Sequence, residues 1–355
     1  MTIDELDTPT LLLDLDALER NLDRMADQIA RMPAKLRPHA KTHKTAIIAR
    51  MQLERGAIGV CAAKLAEAEV LADGGVPDIL ITSELVGAPK LERLIALARR
   101  VRLTIVVDGI AVAQPIAQAA VAGAVRLRTL VDVNVGQNRA GVDPGEPAVA
   151  LGRFVAAAPG LALAGLQGYE GHLQHVADAP ARAAADATAL ELLRGTAAAF
   201  RAAGLSTEIV TTGGTGTSRF AASFAGITDV QPGSYAVMDA QYGAVHELDY
   251  QYALTVLSTV ISVRGSTAVL DAGYKSLSDD AGPPRLLAGG AGFSFAGDEF
   301  GKLSAAAGQP FAVGDKVRLI PGHCDTTINL HDEYVVHRGQ TICDRWTIAA
   351  RGKSR

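Results

Sequence analysis

LTIVVDGIAVAQPIAQAAVAGAVRLRTLVDVN, residues 103–134, holds two short apolar runs with a helix-like stretch between them. LTIVVD (103–108) and RTLVDVN (128–134) are rich in β-branched residues and show no regular polar alternation. Strands of that kind are buried on both faces, as in a parallel sheet. The intervening GIAVAQPIAQAAVAG (109–123) then serves as the crossover helix. The same unit recurs on either side. LRPHA (36–40), IGVCA (58–62) and DILIT (78–82) precede it, and LALAGLQ (161–167), EIVTTG (208–213) and DVQPG (229–233) follow. KLAEAEVLADGG, PKLERLIALARR and ARAAADATALELLRGTAAAFRAAG supply helices between them. About eight βα units in roughly 200 residues fit a closed (β/α)8 barrel better than an open doubly wound sheet.

Beyond about residue 245 the pattern changes. YALTVLSTVISV, STAVLDAG, KVRLIPG, DEYVVHRG and ICDRWTI are short, bounded by Gly, Pro or Asp, and have no helical stretch between them. They read as an antiparallel β-domain. The opening TPTLLLDLDALERNLDRMADQIA is a strand followed by a helix and suits either part. The resulting division is a barrel over 25–245 and a β-rich domain over 1–24 and 246–355.

A net charge of −4 lacks the basic excess that nucleic acid would call for. No apolar run approaches the ~20 residues that span a bilayer. Three scattered cysteines, Cys61, Cys324 and Cys343, do not make a disulfide framework, and MTIDELDTPT has no secretory layout. A cytoplasmic protein is expected.

Functional residues of such barrels gather at the C-terminal ends of the strands. Lys41 follows the first strand, in LRPHAKTHK (36–44), and Arg139 follows the fifth, in VDVNVGQNRAG. Tyr169, His172 and His175 follow the sixth, in GLQGYEGHLQH. TGGTGTS (212–218) follows the seventh and QPGSY (231–235) the eighth. A lone glycine-rich loop is often a plain turn. After strand seven, however, its glycines let backbone amides approach an anion, and Thr215, Thr217 and Ser218 add hydroxyls. Lys41 suits a solvated surface, a salt bridge or an imine with a carbonyl compound. Strand alternation puts Lys41 on the side of His39 and leaves Lys44 to open the next helix, so Lys41 is the stronger candidate. PGHCDTTINLHDEYVVH (321–337) is a second dense stretch. Read as an extended strand, it places His323 and Asp325 on one face, able to share a divalent cation, with Cys324 on the other. His331 and His337 read as surface residues.

In combination, RPHAKTHK, NRAG, GYEGH, GGTGT and PGSY ahead of a β-domain resemble fold-type III pyridoxal phosphate (PLP) enzymes. More narrowly, the chain resembles the D-threonine aldolase / D-serine dehydratase family, whose barrel is alanine racemase-like, over nearly its whole length. The resemblance implies that Lys41 is the Schiff-base lysine and that Arg139 meets the polar edge of the pyridine ring, with Tyr169 against the ring. It gives the phosphate to Thr212, Gly214, Thr215, Gly216 and Tyr235. It places His175, or else His172, near the substrate hydroxyl as a base, and a metal on His323 and Asp325. Dehydratases of the family typically carry His-x-Cys with zinc, and its aldolases His-x-Asp with manganese or magnesium. His323-Cys324-Asp325 meets the aldolase spacing. The implied reaction is retro-aldol cleavage of a D-β-hydroxy amino acid, D-threonine to glycine and acetaldehyde, by a homodimer. D-3-hydroxyaspartate cleavage, D-serine or 3-hydroxyaspartate dehydration, and non-catalytic PLP binding are the alternatives, the last disfavoured by the C-terminal domain.

Overall fold

Runs of Val, Ile and Leu too short for a helix pair side by side, and the first eight after the opening helix do so in parallel. The computed structural model describes residues 1–305 and 311–355. After β1 (Thr10–Asp14) and α1 (Leu15–Ala30) come β2 (Lys35–Leu36), β3 (Val60–Ala62), β4 (Asp78–Ile81) and β5 (Arg102–Val107). β6 (Leu127–Asp132), β7 (Leu161–Gln167), β8 (Ile209–Thr212) and β9 (Asp229–Val230) complete the set. They hydrogen-bond in the order β2-β9-β8-β7-β6-β5-β4-β3. The helices between them are α2 (Ala46–Glu54), α3 (Leu65–Asp73), α4 (Ala88–Ala98), α5 (Ile110–Ala122), α6 (Glu146–Ala157), α7 (Ala179–Ala202) and α8 (Ser218–Ser223). One buried side chain from each of β3 to β8 (Cys61, Leu80, Val106, Leu130, Ala164 and Ile209) forms a packed ring.

The remaining seam closes the sheet into a barrel. β2 is two residues long and Pro38 has no amide to donate on the β3 side, yet the chain keeps its course. The Ile58 N–H donates to the Leu36 carbonyl (2.9 Å), the Cys61 N–H to that of Pro38 (2.8 Å) and the Ala40 N–H to that of Cys61 (2.8 Å). His39 and Cys61 pair in parallel. The buried Arg37 guanidinium reinforces the seam, with Nη1 2.5 Å from Asp78 Oδ1 and Nε 3.3 Å from Asp229 Oδ2. It therefore links β4 and β9. Gly59 leaves room for it: a Cβ there would stand 2.3 Å from Arg37 Nη1.

The chain divides into two compact units: Arg24–Lys41, Thr45–Gly233 and Lys353–Arg355 carry the barrel, and Met1–Asp23, Thr42–Lys44 and Ser234–Gly352 the other sheet. The latter comprises β10 (Leu254–Arg264), β11 (Thr267–Leu270), β12 (Arg285–Leu286), β13 (Ala291–Phe295) and β14 (Gly301–Ala305). β15 (Lys316–Ile320), β16 (Glu333–Arg338) and β17 (Thr341–Thr347) complete it. β10 pairs with β1 and β15 over its first half and, past a bulge between Val260 and Ser262, with β11. The expected antiparallel β-domain is present, with two features the sequence did not announce. β1 lies between β10 and β16 and runs parallel to β16, burying Leu12 with Leu257 and Val335. A short helix, α9 (Cys324–Ile328), interrupts the strands. Among the described residues, no helix is long and apolar enough to cross a membrane.

Arg37→Ala is expected to destabilise the protein by about 3–5 kcal/mol, because Asp78 and Asp229 then face each other across the seam without their cation. Urea denaturation checks this, and a midpoint equal to that of the parent would refute the role given to the seam.

Candidate functional site

The barrel seam also sets Lys41. The Lys41 amide donates to His39 Nδ1 at 3.3 Å, so Nδ1 is the unprotonated nitrogen. Nε2 then carries the proton and donates to Thr82 Oγ1 at 3.0 Å, and the Thr82 hydroxyl donates to the Ala62 carbonyl at 3.3 Å. A neutral imidazole thus bridges β3 and the chain beyond β4 to the backbone of the candidate lysine. Lys44 differs. It lies one residue ahead of the Thr45 N-cap of α2 rather than at the helix start, with a left-handed φ of 52°. Its carbonyl accepts the Ala350 amide at 3.0 Å, which is a backbone role.

At the ends of β4, β6 and β7 sits a carboxyl pair that the sequence did not announce. Asp132 is buried and accepts from Gln167 Nε2 at 2.9 Å. Gln231 Nε2 donates in turn to Gln167 Oε1 (3.3 Å) and Thr211 Oγ1 (2.9 Å). Burial, with the Glu84 carboxyl beside it, pushes Asp132 up to about 7, against a pull from Gln167 and the Arg139 charge. Glu84 is raised as well, chiefly by burial and also by Asp108, so the pair retains a proton between them. Arg139 is exposed, with its guanidinium carbon 5.7 Å from the centre of the Tyr169 ring.

The glycine-rich turn is held from below by Glu170, another residue that sequence reasoning passed over. Its Oε2 accepts from Thr212 Oγ1 (2.6 Å) and the Gly213 amide (3.3 Å), and its Oε1 from Thr217 Oγ1 (2.5 Å) and Gln174 Nε2 (3.1 Å). The Gly214 amide donates to Thr217 Oγ1 at 3.0 Å and the Gly216 amide to Gln174 Oε1 at 2.9 Å. The expectation that these amides turn toward an anion is therefore corrected: they bind the turn to the protein. The glycines are needed for closeness instead, since a Cβ would lie 2.4 Å from Gln174 Oε1 at Gly214 and 2.2 Å from the Gln174 carbonyl oxygen at Gly216. Thr215 remains at the buried tip of the turn. His172 and His175 are exposed, and the His172 ring lies against Gly136.

In the other unit, Tyr235 is fully buried, its ring 5.7 Å from that of Tyr250. The stretch around His323 is not a strand. His323 is the extended N-cap of α9, and Cys324 and Asp325 begin the helix. His323 and Asp325 are nevertheless partly exposed while Cys324 is fully buried. Burial pushes the Cys324 thiol far up, helped by the Asp239 and Asp325 carboxylates, so it stays a thiol. The His323 ring is turned to Asp280, with Nδ1 2.6 Å from Oδ2. No cluster of three or more His, Cys, Asp or Glu suited to a metal occurs among the described residues. His337 is not a surface residue: it is fully buried, with Nδ1 2.9 Å from the Gly339 carbonyl and Nε2 3.3 Å from Arg318 Nη2. His331 Nε2 lies 2.9 Å from the Ser276 carbonyl.

Comparison with known proteins finds two family matches, "Alanine racemase, N-terminal domain" over residues 13–241 and "Putative serine dehydratase domain" over 253–337. A D-threonine aldolase from Arthrobacter sp is 39% identical, covering 98% of this chain and 94% of its own. A 3-hydroxy-D-aspartate aldolase from Paracoccus denitrificans (strain Pd 1222) is 36% identical, covering 98% and 93%. The crystal structure of D-threonine aldolase from Filomicrobium marinum superposes with a TM-score of 0.97 at 41% identity, over 100% of this chain and 98% of that one.

The carboxyl pair gives the stability a pH dependence. A carboxyl held protonated up to about 7 when folded, against 3.8 ordinarily, contributes most below 3.8 and loses that contribution as the pH climbs to 7. Asp132→Asn keeps the acceptor for Gln167 and removes the charge that burial and Glu84 oppose. It is expected to gain roughly 2 kcal/mol over the parent at pH 8 and almost nothing at pH 4. Melting curves across that range check it, and a difference independent of pH would refute it.

Proposed function

The chain belongs to the family of the alanine racemase N-terminal domain, with a serine dehydratase-type domain behind it, and we propose that it is a PLP- and metal-dependent lyase cleaving D-β-hydroxy amino acids. On this reading D-threonine gives glycine and acetaldehyde. The observation that carries the aldolase reading over a dehydratase is the state of His323-Cys324-Asp325. The thiol is buried and protonated while the carboxylate beside it is partly exposed, so the donor set offers nitrogen and oxygen rather than thiolate. Such a set suits manganese or magnesium better than zinc.

The residues fit PLP in their chemistry. Lys41 offers an amine on a backbone fixed by His39, Arg139 a cation beside the Tyr169 ring, and Thr215 and Tyr235 hydroxyls for a phosphate. With the Thr212 hydroxyl and the Gly214 and Gly216 amides engaged, these residues would line the phosphate by shape rather than by donating to it. When bound, PLP would take up the electron pair left at Cα, and a metal held by His323 and Asp325 would acidify the β-hydroxyl. The imidazole of His175, with His172 as second candidate, accepts the hydroxyl proton as the Cα–Cβ bond breaks. The oxygen keeps the carbonyl of the departing aldehyde, and a proton returned to Cα completes glycine. Arg139 and Tyr169 keep the ring plane in place while this happens.

D-3-Hydroxyaspartate is a second candidate substrate, supported by the full-length 36% identity to the Paracoccus enzyme. A cytoplasmic homodimer is the form we infer, the first from the scattered cysteines and the second from the family resemblance.

Chelation is expected to abolish aldehyde release from D-threonine and to leave PLP absorbance in place, with manganese or magnesium restoring the rate. Lys41→Ala is expected to lose nearly all turnover, whereas Lys44→Ala retains it. Faster release of ammonia from D-serine than of aldehyde from D-threonine or D-3-hydroxyaspartate would overturn the aldolase reading.

A further inference from the structure

Three groups are left unexplained by the proposed chemistry. A groove between α5 and α6, lined by Ala117, Val121, Phe154 and Pro159, is apolar, but nothing in the molecule indicates an occupant. Tyr274 stacks on Phe295 near the surface, again with nothing to identify a partner. Asp280 is different.

Its carboxylate is 45% exposed, and an exposed ion pair ordinarily has little fixed geometry. Here both oxygens are engaged. Oδ2 lies 2.6 Å from His323 Nδ1, while Oδ1 accepts from Ser278 Oγ at 2.6 Å and Thr326 Oγ1 at 2.7 Å. Ser278 fixes the carboxylate from its own loop, and its amide is held by Thr327 Oγ1 at 3.2 Å. Thr326 is the residue after Asp325 on α9. One carboxylate therefore orients the ring of His323 and anchors the helical turn that carries Asp325.

Because Asp280 can only accept, His323 Nδ1 carries the proton in this pair, and the lone pair left for a cation is on Nε2. A histidine that binds a metal through one nitrogen characteristically donates from the other to a carboxylate, which fixes the tautomer and raises the basicity of the ligating atom. We propose that Asp280 is a positioning residue for metal binding, presenting His323 through Nε2 and holding the Asp325 turn in place through Thr326. The inference rests on the assignment of His323 and Asp325 as the metal pair.

The test is manganese binding to the PLP-loaded protein, followed by the loss of the free-ion paramagnetic resonance signal on titration. Asp280→Ala is expected to weaken binding about 10- to 100-fold. Asp280→Asn, which still accepts a hydrogen bond, falls between Ala and the parent. Thr326→Val, which cuts only the tie to α9, shows a smaller loss. PLP absorbance and the metal-free melting temperature are expected to stay at the parent values, which separates this role from a folding defect. Unchanged manganese affinity in Asp280→Ala, with binding lost in His323→Ala, would overturn the inference and leave the metal pair standing. Loss in Asp280→Ala as complete as in His323→Ala would make Asp280 a ligand and equally overturn it. No binding by the parent protein would overturn the metal assignment itself.

Discussion

The closure of the barrel at its shortest strand is the constraint on which the remainder depends. β2 contributes only two ladder residues, paired with β9, and on the β3 side Pro38 has no amide to donate, so ordinary pairing cannot carry the seam. Three backbone hydrogen bonds to Leu36, Pro38 and Cys61 and a buried guanidinium between two carboxylates make up the deficit. A buried ion pair is a weak source of net stability but a strong source of geometry, since any other arrangement leaves charge unpaired. That geometry reaches the chemistry within four residues. Arg37 closes the wall, His39 pairs with Cys61, and its ring holds the Lys41 amide. A shift in the seam would move the lysine with it.

The barrel rim follows the same logic of buried carboxyls held by neutral donors. Glu170 collects four hydrogen bonds and makes a rigid plug beneath the turn after β8. Asp132 and Glu84 are instead pushed toward the protonated form, because burial outweighs the pull of the Arg139 charge. The first carboxylate is held by its four donors, whereas the second pair is governed by desolvation.

The barrel was legible because parallel strands buried on both faces leave continuous apolar runs, and each of the eight runs overlaps a strand. Their ends were less so: DVQPG yields only Asp229–Val230, since Pro232 cannot continue a ladder. β12, β13 and β14 escaped notice because RL, AGFSF and GKLSA are short and poor in β-branched residues. β13 is buttressed by the stacking of Phe295 on Tyr274, with ring centres 4.1 Å apart, a contact across twenty residues that no local pattern announces. Among the candidate residues, Lys41 stands out in the sequence by its place after the first strand. Glu170, Glu84 and Asp280 were not, because a surface carboxylate and a buried one look alike until the chain is folded. Asp132 did leave a signal, a carboxyl within the apolar run LVDVN.

The three residues His323-Cys324-Asp325 show how a small shift in secondary structure selects chemistry. In a strand, the first and third would share a face by alternation. In the structure they are presented instead by an extended cap followed by a helical turn, so the placement depends on where α9 begins. Asp239 fixes that point: its Oδ2 accepts the Cys324 amide at 2.9 Å, and its Oδ1 that of Tyr242 at 2.8 Å. Held by its backbone, Cys324 directs its thiol into the core, where burial and the nearby carboxylates keep the proton on sulfur. A thiolate would have been the strongest soft ligand available. Its removal from the accessible donor set leaves an imidazole and a carboxylate, the pair on which the proposed preference for a hard cation rests.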